Sequence, residues 1–579
     1  MASPSTEPTK TNQGEVPADP QQLLSDEASP PWYVVSALGA PEHAAEYDAS
    51  FLIPLHHPDA EQRALGLGDV LGELEASIPV RDEEDVAENE VTSCLASGYV
   101  ARVAEMSRRA PFEDVRVGVA AWLASLPRPL NSVDAQLCIG PASMFLAGIE
   151  AFAPARFETG SEIAAMYGRE FSCAGRVAHL YQVLAWFPDY AARHSALMHA
   201  VTRESGPLPQ DWRHFIALMA VALHDCYPVL EVQAEEFVAC GGDPEWLARG
   251  LEAVPTKLAK LAKLVGIMVR KPWRLRRLHV AELVEGDEVW SIAELVHAIT
   301  LIASFHGVAS LVAGTGVTCE PDLCVGGHAQ APCTAAAAGP LAAPAADALG
   351  VVRQNIVSDM QSLASADELP GEQEDAFAKL DKNTGRLADH TPLVSEAAAV
   401  FVDPAVSQSK YEDFDEREKA SRGDSHMLKM HAYSWAAQGY SLVSQYYAEA
   451  ADMLDATFNL AFEMTDESVN DAQAVDTAPF RQAIWYYTHR LYGLYNDDHD
   501  YRASSALLKK GTKTYIKKVA RFPEIVTIAD LHRIEIELRE DEKVHIAVLV
   551  AEARKQAELL RGLNAVMSYM MPDDESDDD

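Results

Sequence analysis

Residues 206–242 read GPLPQDWRHFIALMAVALHDCYPVLEVQAEEFVACGG, and this stretch predicts two helices separated by a break. Apolar side chains recur at helical spacing after Asp211, a candidate N-cap for the first helix. Pro228 is tolerated only in the first turn of a new helix, so Cys226 is expected at or just before a helix N-terminus. The glycine pair at 241–242 ends the second helix. Because a helix N-terminus favours a thiolate, the segment predicts a helix pair with a candidate reactive cysteine at its break.

Length and charge limit the classes of function. The chain has 579 residues, 48% of them hydrophobic, and a formal net charge of −40. This length and composition predict a globular protein of two or more domains. The acidic balance argues against nucleic acid or an anionic membrane as a general partner. The apolar run that begins at Leu295 contains two histidines, two serines and a threonine, and it predicts a buried helix rather than a membrane span.

Cysteine usage and the N-terminus indicate a compartment. The first thirty residues have no apolar core of a signal peptide, and eight cysteines in so long a chain form no disulfide framework. A reducing compartment follows, which means the cytoplasm or the nucleus. The spacing of four further candidates fits no zinc pattern, so neither a metal site nor a cofactor is predicted. These four candidates are Cys319, Cys324, His328 and Cys333.

Two separate parts of the chain resemble the sestrin family. The first is RHFIALMAVALHDC (213–226), with GPLP before it and EEFVACGG after it. The second runs from about Leu454 to Met571 and includes REDEKVHIAVLVAEARKQAELLRGLNAVMSYM (539–570). The resemblance implies an all-α fold of two lobes. Each lobe is expected to be similar to the alkylhydroperoxidase D/carboxymuconolactone decarboxylase fold.

Composition and the resemblance together predict the domain organisation. Low-complexity and acidic stretches such as TAAAAGPLAAPAADALG and ADELPGEQEDAF indicate a linker between the lobes. The predicted parts are a disordered segment (1–30), an N-terminal helical extension (31–155), a first lobe (156–318), a disordered linker (319–425), a second lobe (426–571) and an acidic tail (572–579).

Cys226 is the candidate catalytic residue of a thiol-dependent alkyl hydroperoxide reductase. The hydroperoxidase-type fold uses a C-x-x-C pair with a nearby histidine, whereas the residue three after Cys226 is Val229. Sestrins keep one cysteine, with a tyrosine two residues on and a histidine seven residues on. This chain has Pro228 and Gln233 at those positions. The alternative is a buried cysteine that packs as a small hydrophobic residue.

The resemblance implies a site for a free amino acid, leucine or a related aliphatic one, in the second lobe. Binding needs a guanidinium for the ligand carboxylate and a carboxylate for its ammonium group. Arg481 and Glu542 match the family residues with these roles, and an ordinary ion pair between them is the alternative. Glu535 stands where the family has a tryptophan in the pocket floor. The remaining expected site residues are Thr465, Ser468 and Thr477 in a lid and Phe480 in the pocket floor.

The resemblance also implies a protein partner. Asp497 and Asp498 match an aspartate pair with which sestrins contact the GATOR complex upstream of TOR kinase, and Ser291 matches a first-lobe position in the same contact. Helix caps are the alternative for all three residues. The resemblance thus implies a sestrin-like stress and nutrient regulator that negatively regulates TOR signalling through GATOR. It would respond to reactive oxygen species and to amino-acid starvation, and a scaffold with neither activity is a further alternative.

Overall fold

The computed structural model describes residues 50–77, 90–125, 140–157, 160–323, 372–382, 384, 394–407, 409, 411–414, 427–465, 477–534 and 538–571. Nearly all regular structure in these ranges is helical, which confirms the predicted all-α class. The helices up to residue 323 are α1 (Ala60–Ser77), α2 (Glu90–Arg109), α3 (Glu113–Ser125), α4 (Glu162–Ala174), α5 (His179–Leu184), α6 (Pro188–Arg203), α7 (Gln210–Ala222), α8 (Tyr227–Ala239), α9 (Pro244–Arg249), α10 (Thr256–Arg270), α11 (Arg277–Val284) and α12 (Ile292–Thr315).

The later helices include the second sestrin-like stretch. They are α13 (Glu372–Lys379), α14 (Glu396–Ala399), α15 (Pro404–Ser407), α16 (Tyr440–Tyr446), α17 (Ala448–Glu463), α18 (Ala478–Leu491), α19 (Tyr501–Leu507), α20 (Lys510–Arg521), α21 (Ile528–His532) and α22 (Glu540–Met570). Short 3₁₀ segments are Ser50–His56, Ile149–Phe152, Pro154–Arg156, Gly250–Glu252, Pro272–Arg274 and Pro523–Ile525, and Trp435–Gly439 is a π-helix. Two short strands, β1 (Leu428–Lys429) and β2 (Leu494–Tyr495), pair in parallel.

The helix pair α7 and α8 forms as the sequence predicts, with Cys226 as the N-cap of α8 and a proline in its first turn. Gly241 takes a positive φ of 82° directly after this helix, a conformation that glycine adopts without strain. The start of α7 differs from expectation, because the N-cap is Pro209 and Asp211 lies in the first turn. The proline ring fixes the φ that an N-cap needs, and the carboxylate of Asp211 in the first turn is stabilised by the positive end of the helix dipole.

Helices α12 and α22 form the centre of the molecule. A Cβ added at Gly307 would lie 3.3 Å from the carbonyl oxygen of Ala551, and one added at Gly562 would lie 2.6 Å from Cγ2 of Ile299. Along this contact the residue numbers rise on α12 while they fall on α22, so the two helices run antiparallel. The glycines allow the two helix backbones to approach closely. In the described part of the chain, α12 is the one helix long and apolar enough to cross a membrane, and its apolar window is wholly buried in the protein.

The N-terminal helical region contacts the first lobe through buried charges. Arg102 on α2 donates to Asp322 Oδ2 (2.6 Å), and Arg176, after α4, donates to the same oxygen (2.5 Å). Arg176 also pairs with Glu235 on α8. All four side chains are at most 5% exposed. This buried ion cluster joins α2, α4 and α8 to the residues that follow α12.

The expected linker, 319–425, needs correction where the structure describes it. Asp322 belongs to the buried ion cluster, and Phe377 on α13 and Tyr411 are buried with the main core. The backbone N–H of Leu251 donates to the carbonyl oxygen of Val400 (2.9 Å). These stretches therefore pack on the lobes. Their apolar and aromatic residues are few and scattered, so the average composition of the segment does not indicate that they are buried in the core. The rest of the expected linker lies outside the described residues, as do the segments 1–30 and 572–579.

Candidate functional site: a pair of charged first turns in the second lobe

The predicted carboxylate-binding arginine lies in the first turn of α18. Thr477 is the N-cap of this helix, and its Oγ1 accepts a hydrogen bond from Arg481 Nη1 (2.8 Å). Arg481 is only 8% exposed. A guanidinium held in place at a helix N-terminus, where the helix dipole is positive, favours an anion. The local geometry is therefore suited to a carboxylate.

The predicted amine-binding glutamate lies in the first turn of α22. Glu542 Oε2 accepts from the backbone N–H of Arg539 (2.8 Å), the N-cap residue of the helix. Oε1 stands 4.0 Å from Arg539 Nη2. A carboxylate accepts about four hydrogen bonds, so Glu542 can cap its helix and also receive an ammonium group.

Helices α18 and α22 bring these two first turns to the same end of the lobe. His489 on α18 lies beside the backbone of Ala553, and Arg561 donates to the carbonyl oxygen of Tyr492, directly after α18 (3.0 Å). Along this contact the residue numbers rise in the same direction on both helices, so the helices run parallel. Helix direction thus places the first turns that carry the arginine and the glutamate toward the same end of the lobe. We call Thr477, Arg481 and Glu542 the clamp.

The surroundings of the clamp are partly described. Phe480 is half-buried and packs against the main core, and Thr465 is exposed two residues after α17. His545, one turn after Glu542, lies 5.5 Å from Phe187 of the first lobe (ring centroids), so the clamp borders both lobes. Two further predicted positions, Ser468 and Glu535, lie outside the described residues.

Cys226 has a different environment from the clamp. The residue is 7% exposed and stands at the break between α7 and α8. Pro228 and Gln233, which replace the family's tyrosine and histidine, line a cavity in the first lobe. Gln233 Oε1 accepts from His214 Nδ1 (2.9 Å). The amide thus fixes the ring of a buried histidine, and it has no titratable proton of its own.

Sequence reasoning missed a buried network between the lobes, which we call the interlobe cluster (His224, His306, Arg554 and Glu558). Arg554 donates to His224 Nε2 (2.6 Å), to Glu558 Oε1 (2.9 Å) and to the hydroxyl of Ser310 (3.0 Å). His306 Nδ1 bonds the other oxygen of Glu558. Burial alone would raise the pKa of Glu558, but His306 and Arg554 hold it below its ordinary value.

The interlobe cluster connects the Cys226 break to the centre of the molecule. His224 lies two residues before Cys226, and burial lowers the pKa of its ring well below the ordinary value, so it is neutral. Its Nε2 accepts from arginine, which places the ring proton on Nδ1, 3.5 Å from Glu524 Oε2. His306 within the apolar helix α12 and His224 directly after the apolar helix α7 were the available signal, because buried polar side chains need partners.

The predicted partner-binding residues are all exposed. Ser291 is the N-cap of α12, where its Oγ accepts from the N–H of Glu294 (3.2 Å). Asp497 Oδ2 accepts from the exposed ring of His431 (2.7 Å). The N-cap of the next helix, α19, is Asp500, so the aspartate pair at 497–498 does not have that role. The cap interpretation thus describes Ser291, while the aspartates stand on a surface loop after β2.

The comparisons with known proteins agree with the motifs. The family model described as "PA26 p53-induced protein (sestrin)" matches residues 150–570. The chain belongs to the sestrin family. Mouse and human Sestrin-2 are each 33% identical to it, over 413 and 416 residues, which is 69% of this chain and 85% of each relative. The Drosophila melanogaster sestrin homolog is 30% identical over 459 residues, 67% of this chain and 92% of the relative. The sestrin match thus begins near the start of the first lobe and contains both α8 and the clamp.

Proposed function

We propose that this sestrin-like stress regulator binds a free amino acid at the clamp and acts on TOR signalling through a GATOR-type complex. The observation that supports the site is the parallel arrangement of α18 and α22, which presents Arg481 and Glu542 from the same end of the lobe. The ligand carboxylate would meet Arg481 and the α18 N-terminus, and its ammonium group would meet Glu542. Free amino acids carry both charges, whereas most metabolites carry one sign only.

The side chain of the ligand would face the apolar surroundings of the clamp. Phe480 packs on the core there, which supports an aliphatic ligand such as leucine. Because Glu535 replaces a family tryptophan, valine, methionine and glutamine are the competing ligands to compare with leucine.

Thermal unfolding of the full chain with each amino acid tests the proposal. A ligand that binds only the folded state raises the melting temperature by mass action. Arg481→Ala and Glu542→Ala should each abolish the shift, because an unpaired ligand charge costs about 2–5 kcal/mol, or about 30-fold or more in affinity. The matched controls are Arg249→Ala and Glu245→Ala, which break an exposed pair in the first lobe. A melting curve that no amino acid shifts would refute the site.

Co-purification tests the partner. Asp497→Ala combined with Asp498→Ala should remove GATOR components from the purified chain while leaving its melting temperature nearly unchanged, because both side chains are exposed. Asp500→Ala is the control for damage to the loop, since it removes the cap of α19 and should lower stability. Undiminished GATOR binding by the double variant would contradict this part of the proposal.

A further inference from the structure

We propose that the cavity in the first lobe binds a short aliphatic amine. The cavity has a volume of about 130 Å³ and is enclosed by α4 to α8 and α12. No clamp residue lines it, so the site is separate from the proposed amino-acid site.

The apolar side of the cavity fixes the size of the ligand. Phe305, Val308 and Val312 of α12 and Val229 and Val232 of α8 give the cavity its apolar walls. A cavity of roughly 150 Å³ with apolar walls holds benzene, so the present cavity suits a molecule of about six non-hydrogen atoms. These apolar side chains offer no hydrogen-bond partner to a polar group, so the buried end of the ligand has to be a hydrocarbon.

The polar side of the cavity is where the head group would lie. Glu170 Oε1 accepts a hydrogen bond from the hydroxyl of Ser195 and stands 3.8 Å from His199 Nε2. Arg203 pairs with Glu236 on the same side. The side chains of His199 and Arg203 are 27% and 28% exposed, so the polar side reaches solvent and gives a ligand its entry.

Charge decides the class of head group. Both guanidinium groups that line the cavity are already paired, Arg176 with Glu235 and Asp322, and Arg203 with Glu236. Among the described residues, no lysine or arginine nitrogen lies within 4 Å of Glu170. An ammonium head would pair with Glu170, whereas a carboxylate head would meet only guanidinium groups whose carboxylate partners are already in place.

The histidines of the cavity do not change this balance. Burial lowers the pKa of His194 to about 3 and of His199 to about 4, and it also lowers the pKa of His214. All three rings are therefore neutral near neutral pH and cannot offset a negative ligand. Burial raises the pKa of Glu170 above its ordinary value, and a bound ammonium would favour its ionised form.

Three probes with one branched skeleton test the head group: isopentylamine, isopentanol and isovalerate, each added to the full chain during thermal unfolding. Isopentylamine should raise the melting temperature in a saturable way, isopentanol should raise it less, and isovalerate should leave it unchanged. A shift with isovalerate as large as that with isopentylamine would overturn the proposal, and so would equal shifts with the amine and the alcohol or the absence of any shift.

Variants tie the effect to the cavity. Glu170→Gln keeps the shape of the side chain but removes the ion pair, and it should weaken isopentylamine binding by about tenfold or more. Val308→Phe fills the apolar side and should abolish binding, with each shift measured against the variant's own ligand-free melting temperature. Glu245→Gln, an exposed change, and Glu542→Ala, which removes the carboxylate of the clamp, should both keep the response. A response that survives both cavity variants would place the amine elsewhere and refute the assignment.

Discussion

Asp322→Ala should destabilise the protein strongly, because it removes one carboxylate from the buried ion cluster. One oxygen of Asp322 accepts from both Arg102 (2.6 Å) and Arg176 (2.5 Å). In the variant, the two buried guanidinium groups share the single carboxylate of Glu235. Breaking a buried pair in this way costs about 3–5 kcal/mol.

Chemical denaturation of the full chain measures this loss, and hydrogen exchange of α2 locates it. The matched control is Glu245→Ala, which breaks a pair whose side chains are 56% and 54% exposed and should cost at most about 0.5 kcal/mol. Because Arg102 is on α2, we expect α2 to lose protection before the central helices do. Equal losses for the two variants would show that the cluster does not hold the N-terminal region to the first lobe.

Three further outcomes are expected. Gly562→Ala should lower the free energy of unfolding by about 1–3 kcal/mol in chemical denaturation, because the new Cβ would lie 2.6 Å from Ile299. The control Gly72→Ala on α1 places its Cβ where no atom lies within 4 Å, so it should be neutral or stabilising. Equal effects of the two changes would contradict the tight α12–α22 contact. Burial raises the pKa of Glu320 to about 8 from 4.5, so the contribution of this residue to stability is complete below about pH 4.5 and declines as the pH rises to about 8. Glu320→Gln should remove that decline when the free energy of unfolding is measured against pH. The same pH dependence in the variant and the parent chain would contradict this prediction. The chain should reduce an alkyl hydroperoxide no faster than its Cys226→Ser variant, and turnover that depends on Cys226 would restore the enzyme interpretation.

Local signals in the sequence were sufficient for the helix pair around Cys226. Pro228 and the glycine pair at 241–242 act on the backbone within a few residues, so their effects do not depend on the rest of the fold. Asp211 shows the limit of this reasoning, since a nearby proline took the N-cap position instead. Pro209 and Asp211 are two residues apart, and small energy differences decide which of two such nearby positions becomes the N-cap.

Long-range contacts were outside the reach of sequence patterns. Arg102 and Asp322 are 220 residues apart, and nothing in either neighbourhood indicates the other. The stretches of 319–425 that pack on the lobes were hidden for a related reason. Phe377 and Tyr411 stand among acidic residues, and their burial depends on core positions supplied by distant helices. For the clamp, the resemblance supplied the residues, and only helix direction could show that the two first turns share an end.

Helix α22 gives the proposed sensor a physical connection between its sites. Its first turn carries Glu542, its middle carries Arg554 of the interlobe cluster, and Arg561 donates to the carbonyl oxygen of Gly493 (2.6 Å), directly before β2. The aspartate pair follows β2 by two residues. From Glu542 to Arg561 the helix spans about 28 Å at about 1.5 Å per residue. Because α22 is continuous and buried against α12, a ligand that moves its first turn would move the helix as a unit. Arg561 holds the segment directly before β2, so the aspartate loop directly after β2 would respond to the ligand without any contact between ligand and partner.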